Sequence, residues 1–140
     1  MSLVYSDISG RYLLADYNRS HSQFLFRKYK LNENDFNVDI IFKAVFSLNI
    51  QIVFNGLKIF IERRLDMPTI VNPANRKFIL KLIDNEGVIS YMDCGALGIF
   101  ENSLEYFQSS LGDNLDPERN KPILWLTDKE IMQYINNSFL

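Results

Sequence analysis

The chain has 140 residues, of which 47% are hydrophobic and 23% charged, and its formal net charge is −2. These values predict a single globular domain over residues 1–140, and they argue against general nucleic-acid binding, which requires a basic face. No run reaches the roughly 18–20 apolar residues of a membrane span, no secretory signal is visible, and the single cysteine excludes an internal disulfide. We therefore expect a cytoplasmic protein without nucleic-acid or membrane partners.

The first predicted elements are two short strands joined by a polar turn. The apolar run 12–15 (YLLA) is followed by a polar stretch and then by the run 24–26 (FLF). Two such runs around a turn indicate a β-hairpin. Residues 30–37 are rich in asparagine and aspartate and predict a loop.

The middle of the chain has the period of a half-buried β-strand, because every second residue from Phe36 to Phe54 is apolar. At about 3.3 Å per residue this run would extend to roughly 60 Å, so we expect it to break, with 47–49 as the preferred place. Asn55 and Gly56 both accept positive φ, and the apolar phase then moves to odd positions, which predicts a hairpin turn or a bulge. The even positions of the run are predicted to face the core.

The following segment predicts a loop, a hairpin and a short helix. Residues 67–75 contain two prolines and predict a connecting loop. Residues 78–83 and 88–92 flank a polar loop that ends in Gly87, which indicates a hairpin. Leu104, Phe107 and Leu111 have helical spacing and predict a short helix near 103–111. A loop over 112–120 and a short buried strand over 123–126 follow.

The C-terminal segment predicts a capped helix near 128–138. Thr127 and Glu130 have the spacing of a capping box, and Leu126 and Ile131 have that of a hydrophobic staple. Apolar residues then recur at every fourth position, which places one stripe toward the core: Ile131, Ile135 and Phe139. Together these elements predict an α+β fold dominated by one strongly bent, antiparallel β-sheet, with an all-β roll or barrel as the alternative.

The sequence predicts no catalytic, cofactor-binding or metal-binding site. His21 is the only histidine and lies in a predicted turn, where it would be the only available base, and Cys94 follows an aspartate that would raise the pKa of its thiol. Residues 95–98 (GALG) lack the pattern of a phosphate-binding loop and predict a turn or a kink. Several carboxylates lack the spacing of a calcium loop or belong to no recognisable pair, and are predicted to be solvated: Glu33, Asp35, Asp39, Asp66, Asp93, Asp113, Asp116 and Glu118.

Three apolar residues interrupt the polar, odd-numbered face of the central run: Ile41, Val45 and Val53. Either a second layer covers this face, or the face is an exposed patch for a partner. Because no catalytic signature accompanies the sheet, we expect a small non-enzymatic domain that binds another protein or itself, comparable with a bacterial immunity-type or other accessory protein. The alternative is a sheet or barrel that encloses a small apolar ligand in a cavity of about 300 Å³ or more.

Overall fold

The computed structural model describes residues 1–64, 76–111 and 118–138. Within these ranges all strands belong to one antiparallel sheet, with the order β4-β7-β6-β5-β1-β2-β3-β8-β9. β4 and β9 are the two edges of this sheet, so it is open and not a closed barrel. This confirms the predicted α+β fold with a predominantly antiparallel sheet. The elements in chain order are β1 (Ser2–Asn18), β2 (Gln23–Lys28), β3 (Asn37–Lys43), β4 (Ser47–Asn49), β5 (Val53–Arg63), β6 (Phe78–Ile83), β7 (Ile89–Asp93), β8 (Ala96–Asn102), β9 (Asn120–Thr127) and α1 (Asp128–Ser138).

The sheet is strongly bent, since β3 and β4, and likewise β7 and β8, follow each other in the chain but lie far apart in the sheet order. β3 leads into β4 through residues 44–46, and β7 leads into β8 through residues 94–95. Two backbone hydrogen bonds join these corners: Phe46 N–H donates to Asp93 O over 2.8 Å, and Gly95 N–H donates to Lys43 O over 2.8 Å. The sheet therefore curls until its two halves face each other.

A bulge in the central pair of strands contributes to this bend. β1 pairs with β5 along its first part and with β2 along its last part, and its register with β5 shifts between Asp7 and Arg11. Gly56 lies opposite this shift in β5 at φ 74°, a conformation that glycine adopts without a steric penalty. Asn55 and Gly56 therefore form a bulge and not a hairpin turn, and beyond them the buried positions become odd-numbered, as predicted.

Two apolar clusters lie on opposite faces of the sheet. The main core fills the concave face, where α1 packs against β1, β5, β6 and β9. A smaller cluster on the outer face joins Leu25, Ile41, Phe100 and Leu111. All of the residues from Asn37 to Phe42 are buried, so β3 is covered on both faces.

The central run breaks at a different place from the predicted one. β3 ends at Lys43, Ala44 turns the chain at φ 52°, and residues 47–49 form the edge strand β4. The even positions are buried throughout β3 and at Phe54 in β5, as predicted, but Phe36, Phe46, Leu48 and Ile52 are exposed, so the prediction is wrong for these four. A period-2 pattern could not separate these stretches, because it does not show where a chain crosses to the other edge of the sheet.

Several local predictions are confirmed. β1 and β2 form the first hairpin, and β6 and β7 form the second. Residues 123–126 form a strand within β9, but their predicted burial is wrong, because β9 is an edge strand and Ile123 and Trp125 are exposed. α1 spans the predicted range, and Thr127 N–H donates to a carboxylate oxygen of Glu130 over 3.1 Å, as expected for a capping box. Leu126, Ile131 and Ile135 are buried against the main core. Some predictions fall outside the described residues: the loop over 67–75, most of the loop over 112–120, Asp66, Asp113, Asp116 and Phe139.

The helix predicted near 103–111 is wrong. The chain turns at Tyr106 and Phe107, where Gln108 N–H donates to Glu105 O over 2.9 Å. Leu104 and Leu111 are buried while Phe107 is exposed, so the apolar residues of this segment do not share one face. Side chains from the sheet bind its backbone in place of helical hydrogen bonds, as described next.

Candidate functional site

A fully buried ion pair lies on the outer face of the sheet, between β2 and β3. Arg27 and Asp39 stand directly opposite each other in the strand register, and they are 1% and 0% exposed. Arg27 Nε donates to Asp39 Oδ1 over 2.6 Å, and Arg27 Nη2 donates to Asp39 Oδ2 over 2.8 Å. This bidentate geometry is the strong form of an arginine–carboxylate contact.

The ion pair holds residues 103–111, which we call the outer loop. Arg27 Nη1 donates to Gln108 O over 2.6 Å, and Ser110 Oγ donates to Asp39 Oδ2 over 2.6 Å. At the start of the loop, Asn37 Nδ2 donates to Leu104 O over 2.8 Å. The outer loop is therefore fixed to the sheet at both ends by buried polar groups that have their hydrogen-bond partners.

Asn102 connects these contacts into one network. Its Nδ2 donates to Asp39 Oδ2 over 2.7 Å and to Asn120 Oδ1 over 3.0 Å, and its Oδ1 accepts a hydrogen bond from Asn37 Nδ2 over 2.9 Å. The network thus reaches from β2 through β3 and β8 to β9. A loop attached in this way keeps one conformation, because moving it would leave several buried polar groups unpaired.

The tip of the outer loop carries two exposed aromatic side chains. Tyr106 is 78% exposed and Phe107 is 82% exposed. The ring of Tyr106 packs on Tyr29, with 5.2 Å between centroids, and the Arg27 guanidinium lies 5.6 Å from the centroid of Tyr29. A rigid base therefore presents aromatic rings to solvent.

A second loop, over residues 29–36, lies beside this tip. Its Leu31 is 93% exposed and its Phe36 is 58% exposed. Leu31, Phe36 and Tyr106 line one groove with a volume of about 740 Å³, to which β1 contributes Leu13. We call the exposed residues Leu31, Phe36, Tyr106 and Phe107, together with the half-buried Tyr29 on which Tyr106 packs, the aromatic surface.

A polar cluster adjoins the groove on the β1–β2 side. Lys28 Nζ donates to Asp7 Oδ2 over 2.6 Å, Tyr12 OH donates to the same oxygen over 2.8 Å, and the hydroxyls of Tyr5 and Tyr12 are 2.6 Å apart. Burial alone would raise the pKa of the Asp7 carboxyl, but the hydrogen bonds from Lys28 and Tyr12 outweigh it and lower this pKa. Burial, followed by the hydrogen bond with Tyr5, raises the pKa of Tyr12, so its hydroxyl stays protonated.

The structure separates the three residues of the predicted interaction face. Ile41 is fully buried in the outer cluster with Leu111, so a second layer covers it. Val45 is half-buried against the main core, and Val53 is half-buried in β5 next to Leu13 of β1. These residues do not form one exposed patch. The three most exposed large apolar side chains of the described residues lie on the aromatic surface instead: Leu31, Tyr106 and Phe107.

The remaining candidate groups from the sequence are His21, Cys94 and the glycines of residues 95–98. His21 is exposed in the turn between β1 and β2. Cys94 is buried between β7 and β8, and this burial raises the pKa of its thiol to about 12. Gly95 lies in the β7–β8 corner and Gly98 lies within β8.

The predicted solvated carboxylates divide into two groups. Glu33, Asp35 and Glu118 are exposed as predicted. Asp39 and Asp93 are fully buried, so the prediction for these two is wrong. Asp93 is bound by Arg64, directly after β5, and by Arg76 Nη1, shortly before β6, the latter over 2.9 Å, and the sequence around Asp93 does not show these distant cations.

The described residues contain no group of three or more histidine, cysteine, aspartate or glutamate side chains that could hold a metal ion. No helix in this part of the chain has both the length and the apolar character of a membrane span. In comparisons with known proteins, no family model, curated protein or solved structure matches the chain. The geometry of the site is therefore what points to a function.

Two sequence signals could have indicated this site. Tyr106 and Phe107 are neighbouring aromatic residues in a polar stretch, which is unusual for a connecting loop. Arg27 and Asp39 are charges placed within or next to apolar strands, which is typical of a buried pair. Neither signal shows that the residues come together, because this requires the strand register.

Proposed function

We propose that this protein is a non-enzymatic interaction domain that binds a protein through the aromatic surface. The observation that carries this proposal is the 78% and 82% exposure of Tyr106 and Phe107 at the tip of a loop held by the buried Arg27–Asp39 pair. Large exposed apolar patches on soluble proteins mark interaction sites. Aromatic residues are also the side chains most often found at the energetic centre of protein interfaces.

The size of the aromatic surface supports a protein partner. Aromatic side chains offer about 150–250 Å² each, so Phe36, Tyr106 and Phe107 leave roughly 400 Å² in solvent. This area is about half of the roughly 800 Å² that one partner buries in an interface of standard size. The polar rim around the groove can supply the remainder.

The rigidity of the outer loop supports the same proposal. Desolvation of a buried ion pair costs free energy, and well-packed apolar residues often stabilise a core as well or better. A loop fixed before binding loses little conformational entropy when a partner binds. Core packing alone would not require the Arg27–Asp39 network. Its role is to hold the outer loop so that the loop presents its aromatic rings to a partner.

The buried state of Cys94 favours a binding role over catalysis, because a thiol with a raised pKa is a poor nucleophile. The concave face, where an enclosed ligand would lie, is filled by buried side chains such as Phe42, Phe54 and Ile59. This packing supports protein binding over the alternative of an enclosed apolar ligand. A buried free cysteine is compatible with a cytoplasmic location, which is part of the proposal.

Site-specific photo-crosslinking tests this proposal. We would place p-benzoylphenylalanine at Tyr106 and, as the control, at Leu3, which is 51% exposed on β1. We expect the probe at Tyr106 to form an adduct in cells, with another protein or with a second copy of the chain, that the probe at Leu3 does not form. The adduct partner is then purified and titrated with the wild type and with F107S, for which we expect at least about tenfold weaker binding, or about 1.4 kcal/mol.

Three outcomes would overturn the proposal. These are the absence of an adduct at Tyr106, the same adduct from the probe at Leu3, and equal affinities of F107S and the wild type for the purified partner. Unchanged Trp125 fluorescence of F107S would show that the variant keeps the fold.

A further inference from the structure

The aromatic surface contains both a projection and a recess. Phe107 projects from the outer loop with 82% of its area exposed, and the groove beside it, with a volume of about 740 Å³, is lined by Leu13, Leu31 and Phe36. An interface with two-fold symmetry needs one patch that is complementary to itself, because each copy uses the same residues. A projecting ring next to an apolar groove meets this condition.

The charges around the groove are also complementary to themselves. Its lining includes Arg11 and Lys30, and it includes the carboxylates Asp35 and Glu101. Within the described residues, Arg11, Asp35 and Glu101 form no ion pair of the chain itself. Both signs are therefore available to a second copy rotated about a two-fold axis, whereas a strongly acidic or basic partner would meet like charges.

We propose that the occupant of the aromatic surface is a second copy of this chain, with Phe107 of each copy seated in the groove of the other. The inference rests on the proposed function, since it names the partner of the same surface. Each copy buries about half of a standard interface as aromatic area, so the dimer belongs to the weaker, reversible class of interfaces. Opposite charges at the rim fix the register of the two copies.

Sedimentation velocity over a concentration series tests the proposal, with a monomer mass of 16.4 kDa as the reference. We expect the wild type to dimerise with a dissociation constant below about 100 µM, and F107S to weaken dimerisation at least about tenfold. F46S is the matched control, because Phe46 is 57% exposed but lies at the β3–β4 corner, and we expect it to dimerise like the wild type. We also expect R11E to weaken dimerisation, because it removes a positive charge from the groove.

The results separate the second-copy inference from the proposed function. A chain that stays monomeric up to about 500 µM, or a dimer that F107S leaves unchanged, overturns the second-copy inference. In either case, an adduct between Tyr106 and a different protein leaves the proposed function standing. The lack of both a dimer and an adduct overturns both proposals.

Discussion

The substitution D39N removes one half of the buried ion pair beneath the outer loop. The amide retains the shape of the carboxylate but not its charge, so Arg27, which is 1% exposed, is left without a counter-ion. Breaking a buried pair from one side typically costs about 3–5 kcal/mol, because the remaining charge cannot be resolvated. We therefore expect the free energy of unfolding to fall by about 3–5 kcal/mol, a large part of the roughly 5–15 kcal/mol of a typical domain.

The assay is urea unfolding at neutral pH, followed by the fluorescence of Trp125, the only tryptophan. D35N is the matched control, because Asp35 is an exposed carboxylate on the neighbouring loop, and we expect it to change stability by less than about 0.5 kcal/mol. The double variant R27M/D39L removes both charges, but Ser110 Oγ, Asn102 Nδ2 and Gln108 O then lose the partners that the pair supplies, so it is expected to recover only part of the loss.

A loss of less than about 1 kcal/mol for D39N, similar to that of D35N, would refute the reasoning. Should D39N not fold at all, S110A carries the comparison, since it removes one hydrogen bond to Asp39 and is expected to cost about 1 kcal/mol.

Three further predictions concern the bulge, the thiol and the polar cluster. G56A should lower the free energy of unfolding, measured with urea, more than G87A does. Both glycines have positive φ, which costs an alanine about 1–2 kcal/mol, but only at Gly56 would the added Cβ also meet Asn85. Equal losses of stability in the two variants would contradict this. The buried Cys94 thiol should react with a thiol reagent only as fast as the protein unfolds, and rapid labelling of the native state would contradict this. Because burial raises the pKa of this thiol, the stability that its neutral form contributes should decrease only as pH rises from 9.0 toward 12. The pKa of Asp7 is lowered, so its stabilising effect is present above the ordinary value of 3.8 and is lost as pH falls below it. The stability difference between the wild type and D7N should therefore shrink between about pH 6 and pH 3, and a constant difference would contradict this.

Predictions that depend on neighbours in the sequence agree with the fold. The turn before Gly87 produces the β6–β7 hairpin, and Thr127 and Glu130 begin α1 where the capping box places it. These signals act through contacts within a few residues, so the local sequence contains the whole cause. The phase change at Gly56 belongs to the same class, because a positive φ shifts the register of a strand directly.

The helix predicted near 103–111 fails for the opposite reason. Leu104 and Leu111 have helical spacing and are both buried, but Phe107 between them faces solvent. The partners of this segment, such as Arg27 and Asp39, come from strands far away in the chain. Periodicity cannot detect contacts of this kind, so the aromatic surface was not predicted.

The sequence alone determined the fold class and most of the local elements of this protein, because periodicity, turn residues and caps act over short distances. Only the tertiary structure decided the order of the strands, the covering of Ile41 and the exposure of Phe107. The contact between Arg27 and Gln108 spans 81 positions in the chain, and it depends on the register of β2 and β3. The surface proposed to carry the function depends on such distant contacts, and for this reason it follows from the fold.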